Sequence, residues 1–309
     1  MGQLCGVEKS LEENTTSCTT DRKKGEENTP GSSTDEAQDS PAVCSDVAEN
    51  PSEEEENSKL SLISWNVDGL DGEEQPERMR SLCSYLISHS PDVVFLQELI
   101  PSYSRFMKKQ LAAKYNFIEG GTINYFTGIL LKKSRITLLD SEIVAYPTTQ
   151  MQRNLLVAQV LFKGQKLCLM TSHLESCEPS AAERMRQLRL VMKRMTEAPA
   201  DVTVLFGGDT NLTDDEVTEV GLPGCVCDVW EQLGEPENCR YTWDPQVNTN
   251  KNIQFKRQFR FDRLYLRPAA QDGVPQLEPD SMALIGLEKL ECGRFTSDHW
   301  GILCTFSAE

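Results

Sequence analysis

The sequence predicts an α/β (α+β) fold in which two mixed β-sheets pack face to face and carry helices on their outer sides. Three observations predict it. Residues 60–97 read as strand, amphipathic helix, strand, a βαβ unit whose right-handed crossover makes the two strands parallel. Short apolar runs then greatly outnumber helical patterns along the rest of the chain. The hairpin-length link Lys163-Gly164-Gln165 adds antiparallel pairing, so the sheets are mixed.

In order, LSLISW (60–65) and VVFLQ (93–97) are the strands of the βαβ unit. Between them Met79, Leu82, Cys83, Leu86 and Ile87 recur at helical spacing, with Pro76 near the start and Pro91 past the end. A short helix is expected to begin near Ser102. Further strands are predicted at 126–132, 136–145, 155–162, 167–172, 202–207, 261–267 and 301–306. A second strong helix covers about 180–197. Its stripe of Ala181, Met185, Leu188, Met192 and Met195 reads as core filling.

Residues 1–58 differ from the rest. They hold 15 acidic and 4 basic side chains, a net −11 of the chain's −17, and no aromatic residue. Such a segment buries too little apolar surface to offset its chain entropy, so a disordered acidic tail is expected there and one domain over 59–309. The low pI of about 4.7 does not exclude a nucleic-acid partner. Charges on a flexible tail are screened beyond about 8 Å at physiological salt. Locally, residues 251–267 carry six basic side chains against one acid, interleaved with Phe255, Phe259, Phe261 and Tyr265. That pattern suits either a groove following a phosphate backbone or an ordinary strand with a charged edge. Eleven cysteines, an odd number without a C-x-x-C pair, point to reduced thiols inside a cell. No apolar run is long enough to span a bilayer, so no membrane role is expected.

Four motifs carry the chemistry: SWNVDGL (64–70), FLQEL (95–99), FGGDTNL (206–212) and TSDHWGI (296–302). Each sits where a predicted strand meets a loop, the place where sites assemble at a sheet edge. Asn66 and Glu98 end the two parallel strands and become neighbours if those strands are adjacent. Glu98 suits a hard divalent cation, or equally a cap on the following helix. Asp68 could join such a cation through water. Asp209 could take a proton from water and Asn211 donate to a phosphoryl oxygen, although D-T-N is also a common Asx turn. His299 needs an orienting carboxylate to serve as imidazolium. Asp262 is the better candidate, because Asp298 points elsewhere along an extended backbone. His173 ends another strand, and a core role is the default for either histidine. His89 sits at a helix end, where a cation is favourable but structural.

The chain from 59 to 309 resembles the endonuclease/exonuclease/phosphatase superfamily. The first motif alone also looks like the abasic endonucleases. LQE, TSHLES, GDTNL, YTWD (241–244) and SDHWG together resemble the branch that acts on DNA 5′ ends bearing a covalently attached tyrosine. The resemblance implies a four-layer αββα sandwich and a Mg²⁺ cofactor, with Mn²⁺ as substitute. It implies hydrolysis of the bond between a topoisomerase 2 tyrosine and a DNA 5′ end, leaving a 5′ phosphate for double-strand-break repair. Glu98 with Asp68 corresponds to the metal site, Asn66 to a phosphate-contacting amide and Asp209 to the general acid/base. Asn211, His173 and His299 correspond to groups around the phosphoryl oxygens. The DNA 5′ end is expected against Asn66, Val67, Asp68, Gly69, Leu70, then His173, Leu174, Glu175, Ser176, Cys177, Glu178, then Asn211, Leu212 and Thr213. Tyr125, Trp243 and Phe261 are expected to line the DNA channel. Nuclear residence, with some cytoplasmic protein, a monomeric state and TRAF-type signalling partners come with the same resemblance. The branch usually begins with a ubiquitin-associated helical domain, and residues 1–58 lack the apolar periodicity for one. Thr213 stands where a basic residue is expected. A related nuclease, a deadenylase, a phosphoinositide phosphatase and a signalling adaptor with incidental catalysis remain as alternatives.

Overall fold

A computed structural model of the chain describes residues 58–254 and 257–308. The tail expected over 1–58 therefore lies, apart from Ser58, outside the described residues.

The βαβ unit forms as the apolar spacing predicts. Strand β1 (Leu60–Asn66) runs into helix α1 (Gln75–His89) and returns as β2 (Val93–Leu99). The two strands pair in parallel, with Asn66 opposite Gln97. Pro76 sits in the first turn of α1, where no backbone donor is lost. Helix α2 (Pro101–Leu111), strand β3 (Tyr115–Glu119) and strand β4 (Phe126–Lys132) follow. β5 (Ile136–Ala145), β6 (Asn154–Phe162) and β7 (Gln165–His173) form a meander. Its second hairpin turns on Lys163 and Gly164, both with positive φ, the pair of left-handed residues that a tight hairpin needs. After α3 (Ala181–Glu197) come β8 (Val202–Asp209), α4 (Asp214–Val220), β9 (Cys227–Asp228) and α5 (Val229–Gln232). β10 (Asp262–Arg267), β11 (Leu277–Ile285) and β12 (Gly301–Ala308) complete the chain.

Twelve strands make two six-stranded sheets, ordered β11-β12-β1-β2-β4-β3 and β5-β6-β7-β8-β10-β9. Leu60, Val93 and Phe95 of the first meet Leu156, Leu169, Leu205 and Leu264 of the second in a dry inter-sheet core. The outer face of the first sheet packs on α1 and α2 through Ile63, Trp65, Leu82 and Met107. That of the second packs on α3 through Leu188, Val191, Met192 and Met195. Helix, sheet, sheet and helix are the four layers expected.

Three strands escaped the sequence reading. β11 carries Pro279 and an exposed face, and β3 and β9 are short; all three lie at sheet edges, where little is buried and Pro is tolerated. In the basic-aromatic stretch half of the cations turn inward. Arg260, Arg263 and Arg267 are buried. Arg260 and Arg263 pair with Asp228 and Asp214, and Arg267 donates to the carbonyls of Ala198, Pro199 and Val202. Half of the basic residues of 251–267 thus bolt β10 to its neighbours. Phe255 and Lys256 lie outside the described residues. Among the described residues no helix is long and apolar enough to cross a membrane. Seven cysteines among the described residues are free thiols.

Candidate active site

Strand directions bring the motifs together. β1, β2, β7 and β8 all end at one edge of the sandwich, while β10 and β12 begin there. β7 and β8 are parallel with His173 opposite Asp209, and β10 is antiparallel with Asp262 opposite Asp209. The first sheet supplies Asn66, Asp68, Glu98 and the segment entering β12. The second supplies His173, Asp209, Asn211 and Asp262.

Asp209 is the hub. Its Oδ2 accepts Asn66 Nδ2 at 2.8 Å and lies 3.3 Å from His173 Nε2 and 3.7 Å from His299 Nε2. Its Oδ1 accepts the Asn211 backbone N–H at 3.0 Å. The Asx turn and the chemical site are therefore the same residue, one oxygen serving each. Burial pushes the Asp209 carboxyl up, and Asp262 and Glu98 add to it; His299 and the Asn66 hydrogen bond oppose, leaving it at about 7.

His299 Nδ1 is 2.8 Å from Asp262 Oδ2, so Asp262 is the orienting carboxylate the sequence singled out. Burial alone would lower the imidazole, but Asp262, Asp209 and Asp298 together hold it well above its ordinary value. These carboxylates favour the imidazolium form of His299. His173 is the opposite: burial, Arg153 and His299 hold it well below its ordinary value. Arg153 Nη1 donates to His173 Nδ1 at 2.7 Å, so the neutral ring carries its proton on Nε2, toward Asp209. Two histidines on one carboxylate are thus driven in opposite directions, because Nδ1 of His299 meets a carboxylate and Nδ1 of His173 meets a guanidinium.

Glu98 lies at a bulge between β2 and β4, with φ +57°, and Asp68 and Asn211 share that left-handed backbone at +47° and +52°. Non-glycine residues kept there at a strain cost mark positions where the side chain matters. The helix-cap alternative for Glu98 fails, since Ile100 occupies the cap position of α2. Glu98 Oε1 instead accepts Asn66 Nδ2 at 3.3 Å. Asn66 therefore spans Glu98 and Asp209, and its own Oδ1 accepts the Asp68 N–H at 3.0 Å. Gly69 is required here: a Cβ on it would sit 2.3 Å from the Glu98 carbonyl oxygen.

The charge of Asp298 acts on both Asp68 and Glu98. For Asp68 and for Glu98 burial comes first and Asp298 second among the causes that push the carboxyl up. Asp68 Oδ2 is buried without a hydrogen bond, although Arg78 and Lys251 lie 3.3 and 2.8 Å away. A like-charged oxygen cluster with an orphaned oxygen fits a hard divalent cation. A second grouping, Asp209, Asp262 and His299, has its ligand atoms within 4.8 Å of one another. Within it His299 Nδ1 is already engaged by Asp262 Oδ2 at 2.8 Å, and Asp209 Oδ2 by Asn66 Nδ2, so the all-carboxylate cluster is the better metal candidate. Asp298, set aside from the sequence because it does not orient His299, faces this cluster electrostatically.

Beside Glu98 and His173 opens a cavity of about 160 Å³, lined by Tyr125, Thr127, Arg153 and Asn154. Arg153 lies over the Tyr125 ring at 4.9 Å and donates to Ser176 Oγ at 2.9 Å. Sequence reasoning missed Arg153; the only local signal was a charged residue just before an apolar strand.

Several residues expected on the DNA face turn inward. Val67, Leu174 and Leu212 are core. Glu175 is fully buried and accepts the Gln150 and Met151 N–H groups, Thr149 Oγ1 and Gln187 Nε2, fastening the loop that leads to Arg153. Thr213 is the N-cap of α4, in a capping box with Glu216, which accounts for a hydroxyl where a basic residue was expected. Gly207 and Gly208 lie inside β8, and a Cβ on Gly208 would sit 2.1 Å from the Ser172 carbonyl oxygen. Leu70 is about half exposed at 52 %, Glu178 is exposed, and Ser176 and Cys177 are half-buried. Trp243, Phe259 and Phe261 form a half-buried aromatic shelf, the two phenyl rings stacked at 4.6 Å.

A buried carboxylate held near neutrality, a His–Asp pair and an adjoining acidic cluster, at the edge of an αββα sandwich, define a hydrolase of phosphate esters. The chain belongs to the Endonuclease/Exonuclease/phosphatase family, whose sequence model matches residues 63–299. Enzymes of this family depend on a divalent metal. The chain is 60 % identical over 255 residues to tyrosyl-DNA phosphodiesterase 2 of Danio rerio, covering 82 % of this chain and 68 % of that protein. The Homo sapiens tyrosyl-DNA phosphodiesterase 2 is 54 % identical over 253 residues, 82 % of this chain and 69 % of that one. The crystal structure of D. rerio TDP2 complexed with single-strand DNA product superposes with a TM-score of 0.78 at 60 % identity, covering 81 % of this chain and 99 % of that one. A C. elegans TDP2 structure gives 0.73 at 31 % identity, covering 81 % and 75 %.

Proposed function

We propose that the chain is a Mg²⁺-dependent 5′-tyrosyl-DNA phosphodiesterase, which cleaves a topoisomerase 2 tyrosine from a DNA 5′ end and leaves a 5′ phosphate. The observation that carries the reading is Asp209, an aspartate at about 7 ringed by Asn66, His173 and the His299–Asp262 pair. A base works best when its pKa lies near the working pH, so this carboxylate is suited to take a proton from the attacking water. The His299 imidazolium stabilises charge that builds on the phosphoryl oxygens, with Asp262 fixing the orientation of its ring. Asn211, oriented by donating to the Leu174 carbonyl at 3.3 Å, supplies an amide on the same side. Asn66 sets the spacing between the base and Glu98.

Glu98, with Asp68 and Asp298, would hold the metal; when bound it supplies Lewis-acid stabilisation of the phosphate. Mn²⁺, similarly satisfied by carboxylates, is the expected substitute. The cavity beside Arg153 and Tyr125 accommodates the leaving tyrosine, whose phenolate has a conjugate acid of pKa about 10 and needs little help to depart. The aromatic shelf of Trp243, Phe259 and Phe261 offers rings for bases to stack on, which favours a polynucleotide over an inositol head group. With that substrate we infer nuclear residence, which imaging of the tagged chain tests.

The decisive experiment offers the protein with Mg²⁺ a 5′-phosphotyrosyl oligonucleotide beside an abasic duplex, poly(A) and a phosphoinositide. Release of a 5′-phosphate end from the first substrate is expected. Turnover of another substrate alone would overturn the assignment.

A further inference from the structure

Lys251 sits on the carboxylate cluster itself. Its ammonium donates to Asp68 Oδ1 at 2.9 Å and to Asp71 Oδ2 at 3.0 Å, and lies 2.8 Å from Asp68 Oδ2. Two other cations touch the same acids but are tied down elsewhere. Arg78 donates to the carbonyls of Val67, Asp68, Asp71 and Thr296. Arg294 pairs with Asp71 and donates to the Asn250 carbonyl. Lys251 binds nothing but the two carboxylates among the described residues, and its side chain is three-quarters buried, with 25 % exposure.

The position is enforced by the loop that carries it. Asn248 Nδ2 donates to the Ser297 carbonyl and Asn250 Nδ2 to the Phe295 carbonyl, while the Phe295 N–H donates to Asn250 Oδ1. The loop is thereby stitched to the segment that bears Asp298 and His299. An ammonium delivered there meets the same oxygens that a divalent ion needs. It hydrogen-bonds Asp68 Oδ1 and leaves Oδ2 with ion-pair contact alone.

We propose that Lys251 is a built-in counter-ion that sets how tightly, and through which carboxylates, the Glu98–Asp68–Asp298 cluster holds a divalent cation. With Lys251 in place, Asp68 is withheld from direct ligation and the ion rests mainly on Glu98 and Asp298. Without it, Asp68 becomes a ligand and the repulsion between a single and a double charge a few ångströms apart disappears. The proposal rests on the reading of that cluster as the metal site.

The test is Mn²⁺ binding to the whole chain, followed by electron paramagnetic resonance and calorimetry, with no turnover involved. Lys251→Met keeps the apolar stem and removes the charge, and it should bind Mn²⁺ about tenfold tighter than the unaltered protein. Lys251→Arg keeps the charge and should stay close to it. Adding Asp68→Asn should cost K251M most of its gain while changing the unaltered protein little. Lys251→Gln serves if the methionine variant loses its fold. Equal affinity in K251M and the unaltered protein, or K251R behaving like K251M, overturns the proposal while leaving the metal site intact. Absence of Mn²⁺ binding in the unaltered protein, or binding that survives Glu98→Gln undiminished, would overturn the metal site and the proposal together.

Discussion

Replacing Asp262 by Asn removes one charge from a buried pair and leaves its shape. The pair is tight, 2.8 Å between His299 Nδ1 and Asp262 Oδ2, and both side chains are nearly inaccessible. Breaking a buried pair by removing one partner costs about 3–5 kcal/mol. The lower end applies, because Asp209 still lies 3.7 Å from the other ring nitrogen. At the scaling of a domain this size, 3 kcal/mol corresponds to a fall in Tm of roughly 6–12 °C. The loss depends on pH. His299 has a raised pKa in the folded chain, so its stabilisation is fully present below its unfolded value of about 6.5 and fades as pH rises through the folded value. With Asp262 neutralised, the ring loses the first of the carboxylates that hold its pKa up. The Tm gap between wild type and D262N should therefore be widest in mild acid and narrow in alkali. Calorimetry across pH measures it, and the ring resonances of His299 should report imidazolium at neutral pH in the wild type only. Turnover should fall by about 10²–10³, the usual consequence of losing an oriented charge-stabilising group. A D262N protein with wild-type turnover and an unshifted His299 titration would refute the relay.

Other outcomes follow from the same geometry. Asp209→Asn and His299→Ala should each lose about 10² or more in kcat while DNA affinity, measured by anisotropy, stays within a few-fold. His173, held neutral by its surroundings, should show no imidazolium signal by NMR in mild acid where an ordinary histidine is half protonated, and Arg153→Met should raise its pKa because a repelling cation is gone. Arg263→Met should lower Tm rather than salt-dependent DNA binding, since this guanidinium pairs with Asp214 and does not face solvent. Glu98→Gln should abolish turnover and any Mg²⁺-induced rise in Tm, which thermal melts with and without the metal would show.

The parts of this site legible in sequence are those where strand ends coincide with chemically committed residues. One rule, the parallel crossover, brings Asn66 and Glu98 together, and Asp262 is singled out because Asp298 points away from its neighbour His299 along an extended backbone. What the sequence concealed is of another kind. Glu98 reaches the site through a bulge, and no period-two pattern announces one. Arg260 and Arg263 look like a phosphate-binding stripe until their acids, Asp214 and Asp228, arrive from another part of the chain. Arg153 and Lys251 act through contacts 20 and 183 residues away in sequence, beyond the reach of local pattern. Val67, Leu174 and Leu212 belong to motifs of the site yet point into the core, because neighbours along an extended backbone face opposite ways.

The division of the site between two sheets makes the hydrophobic core a gauge of catalytic distance. Glu98 and Asn66 ride on one sheet, Asp209 and Asp262 on the other, and the thickness of the apolar layer fixes how far apart they stand. That thickness is set where Gly207 meets Phe95: a Cβ on the glycine would come within 2.8 Å of the ring. An added methyl there would wedge the sheets apart and reach the chemistry as a lengthened Asn66–Asp209 contact, with every polar residue unchanged. By the same route hydrostatic compression acts on this enzyme's reacting geometry through its oil, and substitutions in the middle of the sandwich belong to the enzyme's kinetics as much as to its stability.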